Sequence, residues 1–210
     1  MTLGRFITLE GGEGAGKSTL AKGLAAALER IGVAVVSTRE PGGTEGADEI
    51  RALLVRGERH RWSPLSETLL LMAARNDHLE RVIKPALSAG ACVICDRFTD
   101  STLAYQAAAG GVPPTAVQTL SGLIGAPTPD LTLILDVDPA IGLGRAKSTA
   151  AGEARFEQRD GAFHSRVRAA FLDLARTQPG RCVVLDASRA PNVVLDDARE
   201  AVARRLGFAL

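Results

Sequence analysis

Short apolar runs alternate with longer segments of helical periodicity along the chain of 210 residues. The runs are continuously apolar or β-favouring over the length of a strand, which indicates strands buried on both faces. Such strands separated by helices predict one α/β domain, residues 1–210, built on a five-stranded parallel sheet with helices on both faces. The predicted strands are Arg5–Glu10, Ala34–Arg39, Ala91–Asp96, Leu131–Asp136 and Cys182–Asp186.

The segments between these runs place apolar residues three or four positions apart, which is the spacing of one helical face. Leu20, Leu24 and Leu28 carry this pattern in the first segment, and Gly32 ends it. Pro85 must kink or end the third helix, because proline lacks the backbone N–H that a helix needs. The predicted helices cover about Thr19–Ile31, Gly46–Val55, Leu65–Ser88 and Pro191–Leu206.

The charges nearly cancel, with 25 basic and 24 acidic residues. A chain with a net charge near zero does not favour nucleic acid or an anionic membrane as a partner, so any recognition of anions must depend on local groups of basic residues. No apolar run reaches membrane-spanning length, and the N-terminus lacks a secretory pattern. We therefore expect a soluble cytoplasmic protein.

Cys92 and Cys95 formally make a C-x-x-C motif, but they lie in a predicted strand. Positions three apart on a strand point to opposite faces, so we expect buried core thiols, as for Cys182, rather than a redox or zinc site. The histidines are scattered without a second ligand at metal-site spacing, which favours surface or core positions. They are His60, His78 and His164.

The segment that joins the first strand to the first helix fits G-x-x-x-x-G-K-[ST], the loop that wraps nucleotide phosphates. Its glycines let backbone N–H groups converge on anionic oxygens. Lys17 adds a cation at the β- and γ-phosphates, and the Ser18 hydroxyl suits Mg²⁺. The predicted donor-binding residues are Gly11, Gly12, Glu13, Gly14, Ala15, Gly16, Lys17, Ser18 and Thr19.

A second anion site distinguishes a kinase from other users of this loop. Arg39 and Arg97 follow buried strands at the edge where the loop lies, and Arg75 lies in the middle helical region. Planar bidentate contacts from such arginines suit a second phosphate. Asp96 is a candidate outer-sphere partner of Mg²⁺, with Asp136 as its rival.

A small, polar segment, Lys147–Glu153, departs from the alternating order. It is either an ordinary surface loop or a flap that closes over phosphates and brings an arginine to the transferring group. The flap interpretation gives a lid over about residues 147–160. The neighbouring arginines, most of which we expect to be solvated, are Arg145, Arg155, Arg159, Arg166 and Arg168.

From end to end, the sequence resembles the thymidylate kinases of bacterial type. The segment Arg39–Thr44, Arg-Glu-Pro-Gly-Gly-Thr, is far more specific than the phosphate loop, which many families share. The segments that carry the resemblance are Glu10–Thr19, Thr38–Thr44, Ala73–Arg75, Val82–Leu87, Asp96–Phe98, Ser101–Gln106, Pro129–Thr132, Leu135–Val137 and Phe163–Arg168.

The resemblance implies the P-loop nucleoside monophosphate kinase fold and Mg²⁺-dependent transfer of the γ-phosphoryl group from ATP to dTMP. By this analogy Arg75 and Arg97 bind the acceptor phosphate, Arg39 lies near the reacting phosphates, and Glu13 takes the sugar 3′-hydroxyl. Tyr105 crowds the 2′ position, which favours a deoxynucleotide. The base and sugar site comprises Ser101, Thr102, Tyr105 and Gln106, and Pro41 is expected to follow a cis peptide bond.

Two positions set this chain apart within the resemblance. Members of eukaryotic type carry an arginine where Gly14 stands, so the positive charge is expected from the lid, where Arg155 is the matching position. An aromatic residue usually precedes Arg75 by one helical turn, and Leu71 and Met72 stand there instead. Without stacking worth about 1 kcal/mol, base selectivity is open, and Phe98 or Phe156 are candidates to compensate.

Two alternatives remain at this point. The protein could be a kinase for another nucleoside monophosphate such as dUMP or UMP, or, in a different class, a nucleotide-binding switch without an acceptor pocket. The strand-end arginines and Ser101–Gln106 argue against the switch. A homodimer is expected through the resemblance alone.

Overall fold

The central sheet of the computed structural model contains five parallel strands, as the sequence predicts. The structure describes residues 4–58, 60–148 and 159–210, so most of the expected lid, with Arg155 and Phe156, lies outside the described residues. The strand order is β2-β3-β1-β4-β5. The strands are β1 (Arg5–Gly11), β2 (Val35–Arg39), β3 (Cys92–Asp96), β4 (Leu131–Asp136) and β5 (Cys182–Asp186).

The register brings the predicted strand-end residues together. Asp96 at the end of β3 pairs with Arg39 on β2 and with Leu9 on β1, two residues before Gly11. Gly11 pairs with Leu135 on β4. The phosphate loop, Arg39, Asp96 and the residues after them therefore share one edge of the sheet, where parallel α/β folds bind their ligands.

Helices cover the sheet between the strands, and the terminal helix has the predicted bounds. The long third helix differs from the expectation, because a π-helical segment, Leu79–Ile83, interrupts it before Pro85. Pro85 cannot donate to the carbonyl one turn earlier, and a π segment accommodates such a break. The helices are α1 (Lys17–Arg30), α2 (Glu45–Val55), α3 (Pro64–His78), α4 (Lys84–Ser88), α5 (Thr99–Thr102), followed by a second π segment (Leu103–Ala108), α6 (Pro114–Leu123), α7 (Pro139–Ser148), α8 (Gly161–Thr177) and α9 (Pro191–Leu206).

The core lies on both faces of the sheet, and the cysteines are distributed as expected. Cys92 packs in the cluster that includes Leu24 of α1 and Ala198 of α9. Cys95 packs on the other face with Phe6. All three cysteines, Cys182 among them, are buried and unpaired, so the expectation of core thiols is confirmed. Among the described helices, none combines the length and apolarity that a membrane crossing requires.

Candidate active site

The phosphate loop closes through backbone conformations that its glycines permit. Gly11 ends β1 and Lys17 begins α1. Gly16 caps the helix with φ of 94°, a left-handed conformation that costs glycine little. The Lys17 ammonium group is buried and donates to the carbonyl oxygens of Gly11 (3.2 Å) and Gly12 (2.8 Å). Burial lowers the pKa of Lys17, and Arg97 adds to the effect.

Gly14 leaves no room for a side chain. Its φ is 63°, and a Cβ atom there would lie 1.9 Å from the carbonyl oxygen of Gly142 on α7. An arginine in the loop, as in members of eukaryotic type, is therefore incompatible with this packing of α7.

Ser18 and Asp96 form the predicted metal-binding pair. The Ser18 hydroxyl donates to Asp96 Oδ2 at 2.7 Å, so a strand-end carboxylate adjoins the first turn of α1. A hydroxyl and a carboxylate beside a phosphate site are hard oxygen ligands that fit Mg²⁺. The rival, Asp136, accepts two hydrogen bonds from Arg168 (2.7 and 2.9 Å), which engages that carboxylate.

Arg97 is the centre of a polar cluster beside the loop. Its guanidinium donates to Glu13 Oε1 (3.0 Å), to the Tyr105 hydroxyl (3.1 Å) and to Ser101 Oγ (3.1 Å). Tyr105 in turn donates to Glu13 at 2.9 Å. Burial alone would raise the pKa of Glu13, but Arg97 and Lys17 outweigh it and lower that pKa. The Glu13 side chain is 14% exposed, so it faces the polar cluster around Arg97 and not solvent.

Arg75 is held by the buried carboxylate of Glu40. Its Nε donates to Glu40 Oε2 at 2.6 Å, and its Nη2 donates to Thr102 Oγ1 at 3.0 Å. The guanidinium lies 5.0 Å from the centre of the Phe98 ring. That ring is therefore covered by Arg75, which argues against Phe98 as the missing stacking partner. The bond between Glu40 and Pro41 is cis, as expected.

A cavity of about 1140 Å³ connects most of the predicted residues, but Gly11 and Gly12 are not among those that line it. It exceeds the range of roughly 300–1,000 Å³ of pockets for one small ligand. Leu71 lines it, whereas Met72 does not, because Met72 is buried with Ala107 and Val117. The predicted residues along the cavity are Glu13, Gly14, Ala15, Gly16, Lys17, Ser18, Thr19, Arg39, Pro41, Leu71, Arg75, Asp96, Arg97, Phe98, Ser101, Thr102, Tyr105 and Gln106.

Comparison with known proteins identifies the family. The thymidylate kinase family model matches residues 9–198. A thymidylate kinase from Caulobacter vibrioides is 51% identical over 209 residues, which cover 99% of this chain and all of that protein. The chain belongs to the thymidylate kinase family. A second member, from Dinoroseobacter shibae, is 50% identical over 194 residues, covering 92% of this chain and 94% of that protein.

A crystal structure of a thymidylate kinase from Ehrlichia chaffeensis has the same fold, with a TM-score of 0.79. It is 35% identical to this chain, and the match covers 95% of this chain and 98% of that one. The expected nucleoside monophosphate kinase architecture is thereby confirmed.

Several residues of this thymidylate kinase cavity were not found from the sequence. Glu40 lies inside the Arg-Glu-Pro-Gly-Gly-Thr segment, and its membership of that specific segment is the one sequence signal that could have singled it out. Arg51 lines the cavity and donates to the Pro41 carbonyl at 2.7 Å, a contact that no local pattern indicates. The far end of the cavity adds Arg145, Arg189 and Asn192.

The other described arginines lie partly along the cavity and partly at the surface. Arg39 is about half exposed, pairs with Asp48 at 3.1 Å and lines the cavity. Arg166 is exposed on α8, and Arg159 lies 5.1 Å from the centre of the Phe163 ring. Arg168 forms an ion pair with Asp136 at 2.7 Å and does not line the cavity.

Proposed function

We propose that this protein transfers the γ-phosphoryl group of ATP to dTMP, with Mg²⁺, and yields dTDP and ADP. Phosphorylation of dTMP follows from membership of the family. One observation carries the rest: a single cavity joins the phosphate loop to the cluster of Arg75, Arg97 and Glu13. A donor and an acceptor bound in one cavity can react by positioning and charge neutralisation alone.

The donor end of the cavity extends beyond Lys17 between α1 and α9. There Arg145 is fixed by hydrogen bonds to the carbonyls of Ala187 (2.8 Å) and Ser188 (3.4 Å). Leu195 and Asn192 complete that end. A planar guanidinium beside apolar and amide groups suits a purine, so we assign this end to the base of ATP.

The acceptor end begins at Arg97 and Arg75. We propose that both bind the dTMP phosphate and that Glu13 accepts a hydrogen bond from the 3′-hydroxyl. Tyr105 closes the sugar side, and Thr102, Gln106, Ser101, Pro41 and Leu71 line the base side. This orientation is supported by the contacts that tie Tyr105 and Glu13 to the same guanidinium.

Ser18 and Asp96 would hold Mg²⁺, which would neutralise charge on the phosphates of the donor. Lys17 and Arg39 add positive charge at the donor side. Arg155, in the proposed lid of about residues 147–160, supplies the charge that Gly14 cannot. Addition of EDTA should stop turnover, and excess Mg²⁺ should restore it.

The test is the initial rate of ATP consumption against dTMP, dUMP, UMP, CMP, AMP and GMP. We expect dTMP to give the highest kcat/KM. Preference for another monophosphate would refute the substrate, while no turnover with any of them would favour a nucleotide-binding switch.

We also propose that the protein is a cytoplasmic homodimer. Three unpaired cysteines suit a reducing compartment such as the cytoplasm.

Exposed leucines that could form the dimer interface lie on α2, α3 and α6, and α3 packs against both other helices. Sedimentation should give a dimer that Leu69→Glu converts to a monomer, whereas Leu172→Glu on α8 should leave it intact. The exposed leucines are Leu53, Leu65, Leu69 and Leu123.

A further inference from the structure

A buried row of four side chains leads from Thr38 to Arg75. The Thr38 hydroxyl lies 2.7 Å from His78 Nε2, and His78 Nδ1 lies 3.1 Å from Glu40 Oε1. The other oxygen of the carboxylate, Oε2, accepts from Arg75 Nε at 2.6 Å. The His78 side chain is 0% exposed, and Glu40 and Arg75 are almost as deeply buried. We call these four residues the His78 row.

The helix geometry explains why the row forms. Arg75 and His78 are three residues apart on α3, so their side chains leave the same face. The carboxylate of Glu40 faces them with one oxygen for each. A carboxylate only accepts hydrogen bonds, so Nδ1 of His78 must carry the proton and donate. Each carboxylate oxygen then has one donor, and the orientation of the group is fixed.

Gly43 shows that the surrounding turn is shaped around this row. A Cβ atom at Gly43 would lie 2.6 Å from His78 Nε2 and 2.7 Å from Thr38 Oγ1. Any side chain there would push the imidazole away from the hydroxyl. The second glycine of the segment Arg39–Thr44 is thus required where the turn closes over His78.

We propose that His78 is a positioning residue for Arg75 and acts through Glu40. Without the donor at Nδ1, Oε1 of Glu40 is buried and lacks that hydrogen bond. A buried carboxylate oxygen without this donor is unfavourable, so the carboxylate rotates toward another donor. Rotation of the Glu40 carboxylate changes its hydrogen bond with Arg75 Nε. The guanidinium then turns away from the acceptor phosphate. The inference rests on the proposed function, in which Arg75 binds the dTMP phosphate.

Two substitutions separate the two nitrogens of His78. In His78→Asn the amide nitrogen takes the place of Nδ1 and keeps the donor to Glu40. In His78→Gln the amide reaches the place of Nε2, near Thr38, and the donor to Glu40 is lost. His60→Gln, at an exposed histidine away from the cavity, is the matched control.

The readout is the Kd of each variant for dTMP and for thymidine, measured by calorimetry, with KM for ATP. His78→Gln should raise the Kd for dTMP about tenfold and leave thymidine binding and the KM for ATP within about twofold. His78→Asn should stay close to the parent protein, as should His60→Gln. Only a phosphate-specific loss fits a role through Arg75, because general loosening of the site would weaken thymidine equally.

The inference is overturned if His78→Gln binds dTMP like the parent, or if dTMP and thymidine weaken together. If the parent itself binds dTMP no better than thymidine, this result contradicts the proposed role of Arg75 in phosphate binding and not the role of His78. Thr38→Val, which keeps His78 and removes its Nε2 partner, serves if the histidine variants do not fold. It should weaken dTMP alone by about threefold, and an equal effect on thymidine would also contradict the inference.

Discussion

Glu10 is a carboxyl group buried near the end of β1, next to Ser101 of the proposed acceptor site. It accepts hydrogen bonds from the backbone N–H of Phe98 and from the Ser101 hydroxyl. Burial, followed by the nearby charge of Asp100, raises the pKa of Glu10 from 4.5 to about 8. At neutral pH the folded protein therefore holds a proton that the unfolded chain releases.

This proton gives stability a pH dependence of known sign. Below pH 4.5 the Glu10 contribution is fully present, and it is lost as pH rises through the folded-state pKa of about 8. Glu10→Gln keeps the shape of the group but does not titrate. The free energy of unfolding of the parent, measured in urea relative to Glu10→Gln, should fall by more than about 1 kcal/mol between pH 5 and pH 8.5. Parallel pH profiles for the two proteins would contradict the prediction.

At the scale of elements, the phosphate loop and α7 meet through a pair of glycines. Gly14 approaches the Gly142 carbonyl, and a Cβ atom at Gly142 would lie 2.3 Å from the carbonyl oxygen of Glu13. Backbone therefore contacts backbone where α7 passes the loop, and α7 leads directly into the proposed lid. Any side chain at either glycine must push the helix away.

Gly142→Ala should therefore destabilise the protein by about 1–3 kcal/mol and raise the KM for ATP, because Glu13 and the loop shift. Gly144→Ala is the matched control on the same helix, since a Cβ atom there meets nothing within 4 Å. It should be neutral or stabilising by up to about 1 kcal/mol. Urea unfolding and initial rates measure both effects, and equal behaviour of the two variants would disprove the glycine contact.

The proposed lid should supply a positive charge to the reaction through Arg155. Arg155→Ala should lower kcat by about 100-fold or more with little change in the Kd for ATP, because the lost charge acts on the transferring group. Arg166→Ala, at an exposed position on α8, is the control and should turn over like the parent. If Arg155→Ala retains full kcat, the charge missing at Gly14 does not come from the lid.

For the molecule as a whole, the features that depend on local sequence patterns could be predicted. Contacts between residues far apart in the chain could not. The strands β4 and β5 and the helix α9 have their predicted bounds, because continuous apolar runs and helical spacing are local signals. The phosphate loop was equally local. The contact of Glu40 with Arg75, by contrast, joins residues 35 positions apart, and it forms only where the segment after β2 meets α3. The exclusion of Met72 from the cavity likewise depends on residues far away in the chain, because Met72 packs with Ala107 and Val117.

The placement of the cysteines makes the cooperativity of this sheet measurable. Cys92 and Cys95 lie on β3, between β1 and β2, whereas Cys182 lies on the edge strand β5, where Val184 is 42% exposed. Burial raises the pKa of Cys92 to about 12 and that of Cys182 to about 11, so each thiol needs a local or global opening before it reacts. An edge strand opens at lower free energy than an inner one. In single-cysteine variants at neutral pH, a thiol reagent should therefore label Cys182 about tenfold faster than Cys92 or Cys95. Equal rates at all three positions would mean that the five strands open only as one unit, with labelling that reports global unfolding.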